Sequence, residues 1–147
     1  MNSTTYTKNI LVILLLMVLG VGCDEDLNPP AESVKDISGS WKIVSVSRNG
    51  VDITDAMDFS KFQLNFHSDH TYSFENYLPF LVKDQGTWEV DDPNYPFKLS
   101  FREASGSADV QTNLTYPVIA GRRKIRISFS PGCSSNKYEY VLDRVGE

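Results

Sequence analysis

The sequence predicts an all-β domain of eight antiparallel strands. Three observations predict it. From residue 61 onward apolar residues recur with period two, which is the signature of strands with one dry and one wet face. Turn-forming residues interrupt this alternation at short intervals. The connections between strands are too short for parallel crossovers, which need a dozen residues or more.

In chain order the predicted strands are 38–47, 61–67, 71–76, 85–90, 97–102, 109–118, 123–129 and 138–144. In the second strand Phe62, Leu64 and Phe66 face one way and Gln63, Asn65 and His67 the other. The fifth sets Phe97, Leu99 and Phe101 against Lys98, Ser100 and Arg102, and the seventh sets Ile125, Ile127 and Phe129 against Lys124, Arg126 and Ser128. Turns are expected at 68–70, 91–94, 105–107, Gly121 and Pro131-Gly132. The one long gap, 48–60, has room for a short helical turn around Ala56-Met57. Eight such strands bury their apolar faces by closing into an up-and-down barrel or by folding into a β-sandwich, and periodicity does not choose between them. Closure removes exposed edges and leaves an interior that side chains fill or one small ligand occupies.

Ahead of this domain, Lys8 precedes an apolar run from Ile10 to Leu19 and then Gly20, Val21, Gly22 and Cys23. A basic start, an apolar core and a small-residue cleavage site are the parts of a secretory signal, and the apolar run is about half of what crosses a bilayer. Val21-Gly22-Cys23 resembles the lipobox of bacterial lipoproteins, with Gly20 where Leu is usual. The resemblance implies cleavage after residue 22 and several acyl chains on Cys23, enough for stable membrane anchoring. Asp24, Glu25 and Asp26 are similar to the acidic stretch that follows the lipidated Cys in surface-exposed lipoproteins of the Bacteroides group. That likeness implies an outer-membrane, cell-surface location; a plain solvated acidic linker is the alternative.

Removing residues 1–22 takes away one base, Lys8, and no acid, so 13 basic and 19 acidic side chains remain and the formal charge is −6. A chain this acidic has no electrostatic reason to bind nucleic acid. The remaining 125 residues make one domain. Residues 23–36, with Pro29 and Pro30, read as the lipidated Cys and a flexible tether, and 37–147 as the domain. Cys133 is the other cysteine and sits in a loop by composition, without a partnered base.

Gly39-Ser40-Trp41 on the first strand resembles the GxW signature of lipocalins, whose Trp plugs the closed end of the barrel. Arg144 on the last strand matches the place of the Arg that packs over that Trp, a cation-over-indole contact. The segment 66–72 and Gly86-Thr87-Trp88-Glu89 look like the short lipocalin-like domains of Bacteroides-type lipoproteins. The family's Thr-Asp-Tyr motif is absent, and only Val145, Gly146 and Glu147 follow the last strand, in place of a helix. The resemblance therefore implies a lipocalin-like barrel more strongly than it implies a ligand.

The chemistry on offer is sparse. His67, Asp69 and His70 share a hairpin tip, where metal ligands are splayed in water, so no metal and no cofactor is expected. The sequence carries no nucleophile elbow and no phosphate loop, and an enzyme is not expected. Aromatics are the stronger candidates: Tyr77, Phe80, Trp88, Tyr116 and Tyr140 are expected to wall a ligand site at the open end of the barrel. The apolar run 77–82 is either a lid on that opening or an exposed contact patch. Two functions compete. In one, a non-catalytic lipoprotein binds a small apolar, amphipathic or glycan ligand. In the other, a solid barrel serves as accessory subunit of an outer-membrane complex or as an inhibitor or immunity-type protein.

Overall fold

The computed structural model describes residues 33–76, 82–106, 109–130 and 132–146, all within one compact unit, Ser33–Glu147. In chain order its strands are β1 (Gly39–Arg48), β2 (Val51–Asp52), β3 (Gln63–Phe66), β4 (Thr71–Glu75), β5 (Gly86–Val90), β6 (Lys98–Glu103), β7 (Asp109–Thr115), β8 (Val118–Ile119), β9 (Arg122–Arg123), β10 (Ile125–Phe129) and β11 (Tyr138–Arg144). Among the described residues one 3-10 turn, Thr54–Ala56, follows β2 where the long gap left room for one.

Strands β1, β3 to β7, β10 and β11 form one antiparallel ladder, and β11 pairs back onto β1. That last pairing decides between the two architectures in favour of a closed eight-stranded barrel. All eight predicted strands are present. The strand expected over 109–118 stops at Thr115 and the one expected over 123–129 starts at Ile125, because the intervening residues fold into a small hairpin of their own, β8 on β9.

Alternation fills the interior. Leu64, Phe66, Tyr72, Leu99, Phe101, Leu114, Ile125, Ile127 and Leu142 are all buried and form one cluster. Each such side chain contributes about 1.5–3 kcal/mol relative to exposure. The β1 register shifts between Ile43 and Ser45, so a bulge at Val44 changes the parity and brings Val46 inward after Trp41 and Ile43.

Two predicted facings are corrected. Phe97, expected on the dry face with Leu99 and Phe101, is 67% exposed. It precedes β6, where Asp91 Oδ1 accepts the N–H groups of both Phe97 and Lys98 at 2.9 Å and turns the chain out of the pleat. Lys124, expected on the wet face, is buried. Its Nζ lies 2.9 Å from Oδ2 of buried Asp143, and Arg122 holds the same carboxylate.

The barrel has two distinct ends. One gathers the start of β1, the turn 67–70, the turn 91–97, residues 116–124 and the end of β11, and is plugged by Ile37, Trp41 and Trp88. Residues just before β1, expected in the tether, pack here: the Lys35 N–H donates to the Pro93 carbonyl at 2.8 Å. The opposite end is filled by Phe59, Phe62 and Val82, which come from its connecting segments.

The wall is weakest between β4 and β5, which pair at only two positions, Thr71 with Thr87 and Tyr72 with Gly86. Gly86 also lets β5 approach β6 closely, since a Cβ there would lie 1.9 Å from the Arg102 carbonyl oxygen.

Candidate functional site

Outward positions on consecutive strands build two adjoining concavities. Along the β4–β5 seam runs an open groove of about 620 Å³, bordered by His67, Thr71, Ser73, Gln85, Thr87 and Arg102. Beside it, across β5, β6 and β7, lies a second groove of about 520 Å³, edged by Glu89, Ser100, Asp109 and Gln111. Thr87 and Arg102 border both, so the two form one trough on the outer wall.

The antiparallel register explains the lining. Thr87 stands opposite Arg102, Arg102 opposite Asp109, and Ser100 between Glu89 and Gln111, so polar side chains from three strands form cross-strand rows. Arg102 grips Asp109 through two bonds, Nε to Oδ1 at 2.9 Å and Nη2 to Oδ2 at 3.2 Å. The hydrogen bond from Arg102 holds the Asp109 carboxyl below the usual carboxylate range, and the same pairing raises the guanidinium. Gln111 Nε2 donates to Ser100 Oγ at 3.4 Å. The trough thus presents hydroxyls, amides, one bidentate ion pair, the His67 ring and the carboxylates of Glu89 and Glu103.

The turn at its rim is firmly built. Asp69 Oδ1 accepts from the N–H and the hydroxyl of Thr71, which lowers its carboxyl pKa. His67 Nε2 lies 3.1 Å from Ser73 Oγ, and His70, with φ at 64°, stacks on Trp88 at 4.9 Å between ring centroids. Among the described residues no group of three His, Cys, Asp or Glu is placed to hold a metal ion.

The aromatic candidates occupy different places. Trp88 is buried beneath His70, with its Nε1 donating to the His67 carbonyl at 3.3 Å and its ring edge-on to Phe66. Tyr116 lies in a separate cleft of about 290 Å³ at the Trp41 end, with Arg123, Lys124 and Arg144; burial pushes its hydroxyl up to about 12. Tyr140 is buried in the wall and stacks on Phe129 at 5.4 Å, and burial raises it likewise to about 12. Tyr77, Phe80 and Cys23 lie outside the described residues. Sequence reasoning missed Arg102, Asp109 and Thr87, since each is an ordinary wet-face residue until the strand registers place them in one row.

A family model described as "Domain of unknown function (DUF5004)" matches residues 19–143. No curated protein and no solved structure matches the chain.

Proposed function

Since the chain belongs to the DUF5004 family, we propose that it is a lipid-anchored, non-catalytic binding module that recognises its ligand on the outer wall of a filled barrel. Cys23 is the anchoring residue, and the family match, starting at residue 19, takes it in. The Gly39-Ser40-Trp41 motif and its Arg144 partner support a lipocalin-like ancestry, and the acidic residues after Cys23 support a position on the outer face of an outer membrane.

One observation carries the binding site: interior space at both ends is taken by buried side chains, while two grooves join on the outside around Thr87 and Arg102. The lining mixes hydroxyl, amide, guanidinium and carboxylate groups with apolar surface at Tyr72, Ala104, Trp88 and Val110, which suits a glycan, whose sugars carry both hydroxyls and apolar faces. Arg102 keeps the Asp109 carboxyl ionised, which suits this pair to holding polar ligand groups and not to donating a proton.

Thermal shift of the purified protein against neutral and acidic oligosaccharides tests this, because a ligand that binds the native state raises its melting temperature. Arg102→Ala should abolish the shift, and Tyr140→Phe, away from the trough, should preserve it. No shift with any oligosaccharide removes the glycan reading. A second reading then takes its place, favoured by the shallow, open form of the trough: a solid barrel docking a protein, as accessory subunit of an outer-membrane complex or as an inhibitor.

A further inference from the structure

The Trp41 end of the barrel combines three features. Among the described residues, six of the eight exposed large apolar side chains are on this rim: Val34, Tyr95, Phe97, Val118, Ile119 and Val145. The other two, Val51 and Met57, are at the opposite end. Large exposed apolar groups gathered on one rim mark a contact surface, where scattered ones do not.

Charge is the second feature. On a chain of formal charge −5, this end carries six cations, Lys35, Lys98, Arg122, Arg123, Lys124 and Arg144. Five carboxylates accompany them, so this end carries a net charge of about +1 on an otherwise acidic chain, and each carboxylate is held by its neighbours. Asp36 accepts from Ser38, Asp69 from Thr71, Asp91 from Phe97 and Lys98, and Asp92 from Asn94 and Tyr95. Asp143 holds Arg122 and Lys124. Arg123 is exposed and borders the cleft with Tyr116, whose buried hydroxyl has no hydrogen-bond partner among the described residues.

The third is connectivity. The described chain enters the barrel at this end, and nine residues separate Cys23 from Ser33. Fully extended, that link spans at most about 36 Å. An acyl anchor on Cys23 therefore turns contact between this rim and the bilayer into an intramolecular event at high effective concentration.

We propose that the Trp41 end docks on the bilayer that holds the anchor, with Phe97, Val118 and Ile119 entering the headgroup layer and Arg123 facing lipid phosphates. This rests on the lipid-anchor reading. Apolar and aromatic side chains beside Arg are the composition that membrane interfaces favour. Docking holds the outer trough side-on to the membrane and lifts the opposite end away from it.

The test uses the full-length protein reconstituted into vesicles of phosphatidylethanolamine and phosphatidylglycerol carrying bromine near the headgroups. Phe97→Trp, Ile119→Trp and Val51→Trp are made singly at exposed positions, and the signal of Trp41 and Trp88 is subtracted with the unsubstituted protein. Palmitate labelling at Cys23 reads the anchor independently. Loss of fluorescence at positions 97 and 119 but not at 51 is the expected result. Labelled protein quenched no more at 97 and 119 than at 51 overturns the docking and leaves the anchor intact. Unlabelled protein overturns the anchor and the docking with it.

Discussion

The Arg144 guanidinium lies 5.0 Å from the centre of the Trp41 ring, directly across the β1–β11 pair, and both side chains are tied to the same short segment. Trp41 Nε1 donates to the Ile37 carbonyl and Arg144 Nη2 to the Asp36 carbonyl, each at 2.8 Å. Gly39 makes this possible, with φ at 129°, a conformation L side chains rarely adopt. Trp41→Ala should cost about 3–5 kcal/mol, the scale for a buried aromatic. Arg144→Lys should recover only part of the loss seen with Arg144→Ala, because an ammonium lacks the planar face that covers indole. Urea unfolding measures both.

Asp143 should govern stability at acid pH. Burial is the largest influence on its carboxyl and raises the pKa, but the hydrogen bonds and charges of Lys124 and Arg122 together outweigh it and leave the pKa lowered. A carboxyl lowered in the folded state contributes stability that is complete above its unfolded value, near 3.9, and is lost as pH falls through the folded value. Stability followed by denaturation below about pH 4 should therefore drop, and Asp143→Asn should flatten that part of the curve.

The same substitution at neutral pH leaves Lys124 buried without its counter-charge. The expected cost is about 3–5 kcal/mol, and the double variant Asp143→Leu with Lys124→Met should regain most of it. Unfolding midpoints of the two variants against the unsubstituted protein decide the point.

Gly86→Ala forces the β5 and β6 backbones apart, since the new Cβ meets a carbonyl rather than a side chain that can swing away. A loss of roughly 1–3 kcal/mol is expected, with faster amide exchange at Thr71 to Tyr72 and Gly86 to Thr87. Unchanged exchange there would show that the seam absorbs the methyl group.

Cys23→Ala should abolish incorporation of radiolabelled palmitate. Equal labelling of the variant would remove the anchor from the proposed function.

Much of the fold was legible because period-two alternation needs no knowledge of partners: Leu64 and Phe66, Leu99 and Phe101, Ile125 and Ile127 are inward as read. Phe97 was misread because the alternation runs one residue past the place where Asp91 captures the backbone. Lys124 looked solvated because its partner is in another strand, and only the β10–β11 register sets it against Asp143. Barrel closure was beyond periodicity for the same reason, since it depends on Trp41 meeting Arg144. The outer trough was the least legible, being made of unremarkable polar residues that acquire meaning in rows across three strands.

Closure of the ladder by its first and last strands has a kinetic consequence. Trp41 and Arg144 are about as far apart in sequence as two residues of the barrel can be, so the loop-closure entropy for the final seam is near its maximum for this chain. Contacts of such high order place folding in the millisecond-to-second range. They also make the last strand obligatory: during synthesis from the N-terminus, β1 has an unpaired edge until β11 arrives. A nascent chain missing only its final ten residues therefore has most of the barrel's core residues and no barrel to bury them in.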